Sequence, residues 1–320
     1  MNPSTKGKIR RYRRFNVITI AATYLLIFVG GLVRVSGAGL GCPDWPKCFG
    51  RWIPPTSASQ LPADIDPALF NFTLAWIEYI NRLIGVAVGL LILGVAILAL
   101  KNLRQEKRIL YPSLTAALLV AFQGWQGSQV VSSGLEPIIV SLHMVMAFII
   151  VSLLIYAALQ AYYLEHPEME RQARYPDSLR KLVGLLWGLT IFQVILGTQV
   201  RSGIEHAAAR FPLFTRSELL QQADPVSYLH GLFGVLVAMF TWWTADRIRK
   251  QGVNPSALVE YGSKVMVAVV AAQIVIGGIL VGFGLPNVMQ LYHLWTASLF
   301  IGVLLLLYSS MKYKVVRYDE

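Results

Sequence analysis

Eight apolar stretches, near residues 15–36, 76–100, 112–132, 138–163, 180–201, 226–248, 262–283 and 289–310, follow one another along the chain. Each is long enough to cross a hydrocarbon core that needs about 20 helical residues. Lipid offers the backbone no water, so such segments satisfy their peptide groups internally, as α-helices. The sequence therefore predicts an all-α membrane protein of eight transmembrane helices. Its charged fraction of 14% agrees, since soluble domains carry about 25%. No separate soluble domain remains, and the longest segments between spans are 37–75 and 202–225.

The net charge of +11 would suit a nucleic-acid partner if the basic residues formed one surface. Their distribution argues otherwise. Lys6 to Arg14, Lys101 to Arg108, Arg171 to Lys181, Arg247 to Lys264 and Lys312 to Arg317 hold 21 of the 28 basic residues. All fall on one side if the spans alternate. The positive-inside rule then places both termini in the cytoplasm and the 37–75 and 202–225 loops outside a cell (inner) membrane crossed many times. The basic start KGKIRRYRRF precedes an apolar run with no small-residue cleavage site, which predicts a retained anchor.

Within this frame the chain repeats itself. Asn81 and His143 lie 62 residues apart, and His230 and His293 lie 63 apart. Gln123/Gln273, Gly127/Gly277, Val131/Val281, Gly134/Gly284 and His143/His293 share an offset of 150. GGLVRVSG (Gly30 to Gly37) is echoed by GTQVRSG (Gly197 to Gly203), and EYINRLIG (Glu78 to Gly85) by SYLHGLFG (Ser227 to Gly234). The expected architecture is two pseudo-symmetric four-helix bundles, residues 1–165 and 166–320, in which Asn81 aligns with His230.

Three of the four paired positions are imidazoles, and all four fall within about two turns of one end of spans two, four, six and eight. An ionisable side chain inside a bilayer is costly enough to be a functional candidate by default. Facing histidines on neighbouring helices, with glycines that admit a flat macrocycle, are the usual means by which a helical bundle holds haem. The blander reading of each histidine is a hydrogen bond to a neighbouring helix, and that of the glycines is plain packing in lipid. His166 and His206, expected in a cytoplasmic and an outer loop, have no such pairing and read as solvated.

Both cysteines, Cys42 and Cys48, fall in one outer loop, GLGCPDWPKCFGRW, where the compartment permits oxidation. This favours a disulfide, structural or redox-active; metal binding ranks last because the loop has no histidine. Glu78 lies one turn before Asn81, with Arg82 beside it. It is either an interfacial partner of Arg82 or an acid/base group next to an iron site. Arg34, Arg82 and Arg201 are candidates for pairing with haem propionates; interfacial snorkelling is the alternative.

The segments GGLVRVSGAGLGCPDWPKC and IEYINRLIG, the Leu142-His143 and Leu229-His230 pairs, and YHLW at 292–295 resemble the haem A synthase family over nearly the whole chain. The resemblance implies an oxidoreductase that converts the C8 methyl group of haem O to the formyl group of haem A, for use in terminal oxidases. It implies haem b between His230 and His293, and haem O as substrate in the first half at His143, Asn81 and Arg82. It further implies Glu78 as the important glutamate, and a Cys42–Cys48 disulfide. Implied partners are the lipid bilayer, the farnesyltransferase that makes haem O and an electron-transfer protein. Nucleic acid is not among them, and a homo-oligomer is left open.

One departure stands out. The family's E-x-x-H-R motif reads Glu78-Tyr79-Ile80-Asn81-Arg82 here. Amide is a poor iron ligand, so His143 would hold the substrate haem alone. Two other readings compete: a di-haem transmembrane electron carrier of the quinol-linked cytochrome b type, which four axial histidines would favour, and a haem chaperone, which would need neither Glu78 nor a permanent haem.

Overall fold

The structure is a computed structural model and describes residues 3–63, 65–167, 175–215, 218–219, 225–251 and 257–311. Eight long helices carry them: α1 (Pro3–Ser36), α2 (Phe72–Asn102), α3 (Lys107–Ser132), α4 (Pro137–Glu165), α5 (Asp177–Arg210), α6 (Pro225–Arg249), α7 (Ala257–Gly282) and α8 (Asn287–Ser310). Among the described residues there is no strand, only an isolated bridge between Cys48 and Arg51.

Seven of these helices are long and apolar enough to cross a membrane. The sequence predicted eight spans, and the exception is α3. Its apolar first half is followed by Gln123, Gln126 and Gln129, which lower the hydropathy below that of its neighbours. Elsewhere the apolar surface points outward, as lipid requires. On α2, Leu83, Val86, Leu90, Leu93, Ile97 and Leu100 are exposed at three- and four-residue spacing, while Val88, Ile92, Val95 and Ala99 are buried on the opposite face.

The helices pack as two rings of four. In the first, α1 contacts α2 and α4, and α3 contacts α2 and α4; in the second, α5 contacts α6 and α8, and α7 contacts α6 and α8. Each ring has its own core, one built around Tyr12, Ile92, Ile109 and Leu154 and the other around Leu179, Leu186, Met266 and Leu304. The rings meet where α1 and α4 pack against α5 and α8.

The repeat seen in sequence is also a repeat in backbone. The turns from α3 to α4 and from α7 to α8 each carry two consecutive left-handed residues, Gly134–Leu135 (φ 64° and 67°) and Gly284–Leu285 (φ 68° and 59°). In each, the leucine N–H donates five residues back, to Val130 O at 3.0 Å and to Leu280 O at 2.9 Å, closing the helix with a Schellman bond. Beyond the turns, the burial pattern of residues 141–150 recurs residue for residue at 291–300.

Two expectations for the loops need correction. Residues 202–210 were expected outside any span, but they continue α5 as far as Arg210. GIEHAAAR holds three alanines and no proline, so nothing in it stops a helix. His206 is therefore helical, though exposed as expected. His166 closes α4 and packs on Tyr162 at 4.9 Å between ring centroids, so it is half-buried rather than solvated.

Candidate functional site

His143, His230 and His293 sit in the second turn of α4, α6 and α8, and Asn81 sits in the third turn of α2. All four are half-buried. Each is faced by a glycine on the preceding helix. A Cβ built on Gly127 or Gly277 would stand 3.7 Å or 3.8 Å from Cε1 of His143 or His293. One on Gly197 would stand 3.1 Å from Cε1 of His230, and one on Gly30 would stand 3.9 Å from Oδ1 of Asn81. The four positions are thus built alike, with a ring or amide lying against a bare backbone.

In the second ring the two imidazoles face each other, their centroids 6.3 Å apart and their planes inclined at 71°. An imidazole nitrogen binds a first-row metal at about 2 Å and lies about 1 Å from its ring's centre, so one ion between two imidazoles needs about 6 Å between centroids. The observed spacing meets that requirement. Nδ1 of His143, His230 and His293 is buried without a hydrogen-bond partner, as is Oδ1 of Asn81. Unpaired buried polar atoms are costly, so their recurrence at all four paired positions calls for a partner there. Among the described residues no three His, Cys, Asp or Glu side chains cluster closely enough to hold a bare ion. Two opposed imidazoles suit an iron whose remaining ligands come from a macrocycle, and the residues present fit haem.

The loop above the first ring is held by Glu78 and Arg82. Glu78 is buried, 3% exposed. Its Oε2 accepts from the Cys42 N–H at 2.7 Å, and its Oε1 is paired with Arg82. The Arg82 guanidinium also donates to the carbonyls of Asp44 (2.8 Å), Lys47 (2.8 Å) and Cys42 (3.3 Å). Cys42 and Cys48 form a disulfide. The bridge packs with Phe49 and Ala75 in a small cluster of its own, and Asp44 closes the loop by accepting from the Phe49 and Gly50 N–H groups at 2.6 Å and 2.9 Å. Helix α2 thus places Asn81 toward the ring and ties the disulfide loop to its own second and third turns.

Arg34 and Arg201, the equivalent arginines of the two halves, converge on one carboxylate. Each lies 2.9 Å from Glu205, and Arg201 also bonds Gln290. Nη1 of Arg34 is buried and unpartnered.

Three glutamines have a role that the sequence did not assign: Gln123 and Gln273 stood there only as marks of the repeat, and Gln193 not at all. Nε2 of Gln123 donates to the main-chain carbonyl of His143 at 2.9 Å, Gln193 to that of His230 at 2.8 Å, and Gln273 to that of His293 at 2.8 Å. The signal was present in the chain: each glutamine precedes the glycine under its histidine by one helical turn, as Gln123–Gly127, Gln193–Gly197 and Gln273–Gly277. On α1 the same spacing reads Leu26–Gly30, and it faces Asn81.

Residues 13–305, which include most of every helix, match the cytochrome oxidase assembly protein family, COX15-CtaA. The chain belongs to that family. Similar members include the heme A synthase of Geobacillus kaustophilus, 24% identical over 303 residues that cover 92% of this chain and 90% of that protein. Another is the heme A synthase of Alkalihalophilus pseudofirmus, 27% identical over 255 residues, 75% of this chain and 78% of the relative. A stronger but shorter likeness is to the heme A synthase of Shewanella oneidensis, 38% identical over 146 residues, where the match spans 42% of that protein's length.

Proposed function

We propose that this COX15-CtaA family member is a haem A synthase, oxidising the C8 methyl group of haem O to a formyl group in a first-ring site at His143, with haem b held between His230 and His293. The single observation that carries the reading is the asymmetry of two otherwise equivalent rings. One offers two imidazoles at the spacing a shared iron requires; the other offers one imidazole, with an amide at the position equivalent to the second. Two imidazoles on one iron hold a haem more firmly than one does, while a single imidazole leaves one face of it open. A substrate that must enter, react and leave is better served by one.

Haem b would supply redox chemistry from the second ring. The chain's own groups do the rest. His143 would orient the substrate through one face, and Asn81, with Oδ1 buried and unpartnered, would present a hydrogen-bond acceptor on the other. Two hydroxylations of one carbon give a geminal diol, which loses water to leave the aldehyde. With water as the oxygen source, each hydroxylation would break one C–H bond, form one C–O bond and release two electrons and two protons, the electrons passing to an electron-transfer partner. Glu78 would handle protons from a carboxylate fixed by the Cys42 N–H and the Arg82 guanidinium. Arg34 and Arg201, which share Glu205, would pair with haem propionates. The farnesyltransferase that makes haem O is the proposed supplier of substrate, and both termini are placed in the cytoplasm.

The test is to express the chain with a haem O synthase in a host that makes no haem A, then extract and separate the haems with mass detection. Appearance of the formyl product, lost in Glu78→Ala while haem b is retained, is the expected result. A folded protein that carries haem b and leaves haem O unconverted would favour a di-haem electron carrier.

A further inference from the structure

The glutamine bonds described above recur three times with nearly the same length, and in every case the acceptor is the main-chain carbonyl of a histidine in a ligand position. Inside a helix that carbonyl already accepts from the next turn, so the extra bond is not needed to satisfy the backbone. Its effect is geometric: it ties the odd-numbered helix to the even-numbered one at the residue whose side chain must point inward.

What two of the glutamines leave over is equally informative. Oε1 of Gln123 and Oε1 of Gln193 are buried with no partner, and so is Nδ1 of the histidine that each one holds. In both rings a buried acceptor and a buried ring nitrogen are thus left without a partner, on two residues that the amide N–H already joins. When a metal takes Nε2 of an imidazole, the ring proton resides on Nδ1, and ligating histidines almost always donate that proton to an oxygen nearby. The amide oxygen belongs to the group that already grips the same residue.

We propose that Gln123, Gln193 and Gln273 are positioning residues for His143, His230 and His293. The amide N–H fixes the histidine's main chain, and in Gln123 and Gln193 the amide oxygen accepts the Nδ1 proton once Nε2 is committed to iron. The one-turn pair Gln-x-x-x-Gly is then a seat for an axial histidine, with the glycine receiving the ring and the glutamine setting its tautomer and electron density. Position 26 carries leucine where a fourth seat would carry glutamine, and position 81 carries asparagine where it would carry histidine. Seat and ligand are missing together, so the open face of the first ring is a property of two helices, not one residue.

This inference rests on the haem reading above, and its test separates the two. The detergent-purified protein, with the haem b it retains, is titrated optically for its midpoint potential as wild type, Gln193→Leu, Gln193→Glu and Gln123→Leu. Losing the acceptor leaves the imidazole a weaker donor and favours ferrous iron. Gln193→Leu is expected to move the ferrous-to-ferric ratio at fixed poise about tenfold toward ferrous, a rise of about 59 mV for one electron. Gln193→Glu keeps an acceptor and gives it charge, so its shift runs the opposite way. Gln123→Leu acts in the other ring and leaves the haem b potential where it was. An unchanged potential in haem-loaded Gln193→Leu overturns the inference alone, as do shifts of the same sign in the Leu and Glu variants. If Gln193→Leu fails to assemble, the Glu variant decides, and an unshifted potential there is equally fatal. A wild-type preparation that binds no haem overturns the haem reading as well.

Discussion

Asn81 stands where the second ring has His230, with a glycine under it, so a single substitution tests what the amide is for. Asn81→His is expected to turn the first-ring haem six-coordinate and low-spin, visible in the optical and electron paramagnetic resonance spectra; an unchanged spectrum would remove the proposed role of position 81. Adding Leu26→Gln should sharpen the low-spin signal, because the new imidazole would then be seated like the other three. Arg82 supports a different prediction. Its side chain is 14% exposed, and its guanidinium holds three carbonyls and the Glu78 carboxylate. Removing it leaves a buried charge unpaired, which costs about 3 kcal/mol. Arg82→Ala should therefore lower the thermal midpoint in detergent far more than Arg51→Ala, whose side chain is exposed and bonds only the Gln60 carbonyl among these contacts.

Among the elements, the glycine faces and the disulfide loop make graded claims. A methyl group on Gly277 would meet its histidine at 3.8 Å, an ordinary contact, whereas one on Gly197 would meet His230 at 3.1 Å and force the ring to move. Gly197→Ala should accordingly reduce bound haem b while Gly277→Ala leaves most of it, as read by the pyridine haemochrome assay. Replacing both cysteines with serine releases a seven-residue loop, worth about 2 kcal/mol on chain-entropy grounds. The melting point should fall by a corresponding amount, with haem b retained in the second ring. The helices themselves were legible in the sequence because lipid enforces one rule on every span, and the predicted stretches fall within α1 to α8 almost residue for residue. The extension of α5 through His206 was hidden, since loop and surface helix share the same polar composition. The histidines were legible because an imidazole in a membrane is rare and these recur. Gln193 was not, because a glutamine's partner is a carbonyl, which leaves no trace in the spacing of side chains until the two helices are placed together.

For the molecule as a whole, the seam between the rings changes character along its length. At the histidine end it is polar: Arg34 and Arg201 share Glu205, and Ser141 bonds Thr198 at 2.5 Å. Midway, the Trp295 indole N–H donates to the Tyr24 carbonyl at 3.1 Å. Toward the other end lies an apolar cavity of about 470 Å³ between α1, α4, α7 and α8. Arg10 and Arg13 close that end by sharing Glu165 at 2.7 Å and 2.9 Å. The proposed topology makes this the cytoplasmic end. Single cysteines at Ser57 and at Arg249, in a background lacking Cys42 and Cys48, should then react with an impermeant thiol reagent from opposite sides of the membrane; labelling from the same side would reverse or break the assignment.

Helix α3 enters this assembly on different terms from its neighbours. With glutamines through its second half, it gains less from lipid than any other long helix here, and one of those glutamines finds its partner only on α4. Such a segment is a poor passenger on its own during biosynthesis. It should leave the translocon as a hairpin with the helix that follows, so a nascent chain cut after the Gly134–Leu135 turn would leave α3 accessible to protease, while one extended through Glu165 would protect both.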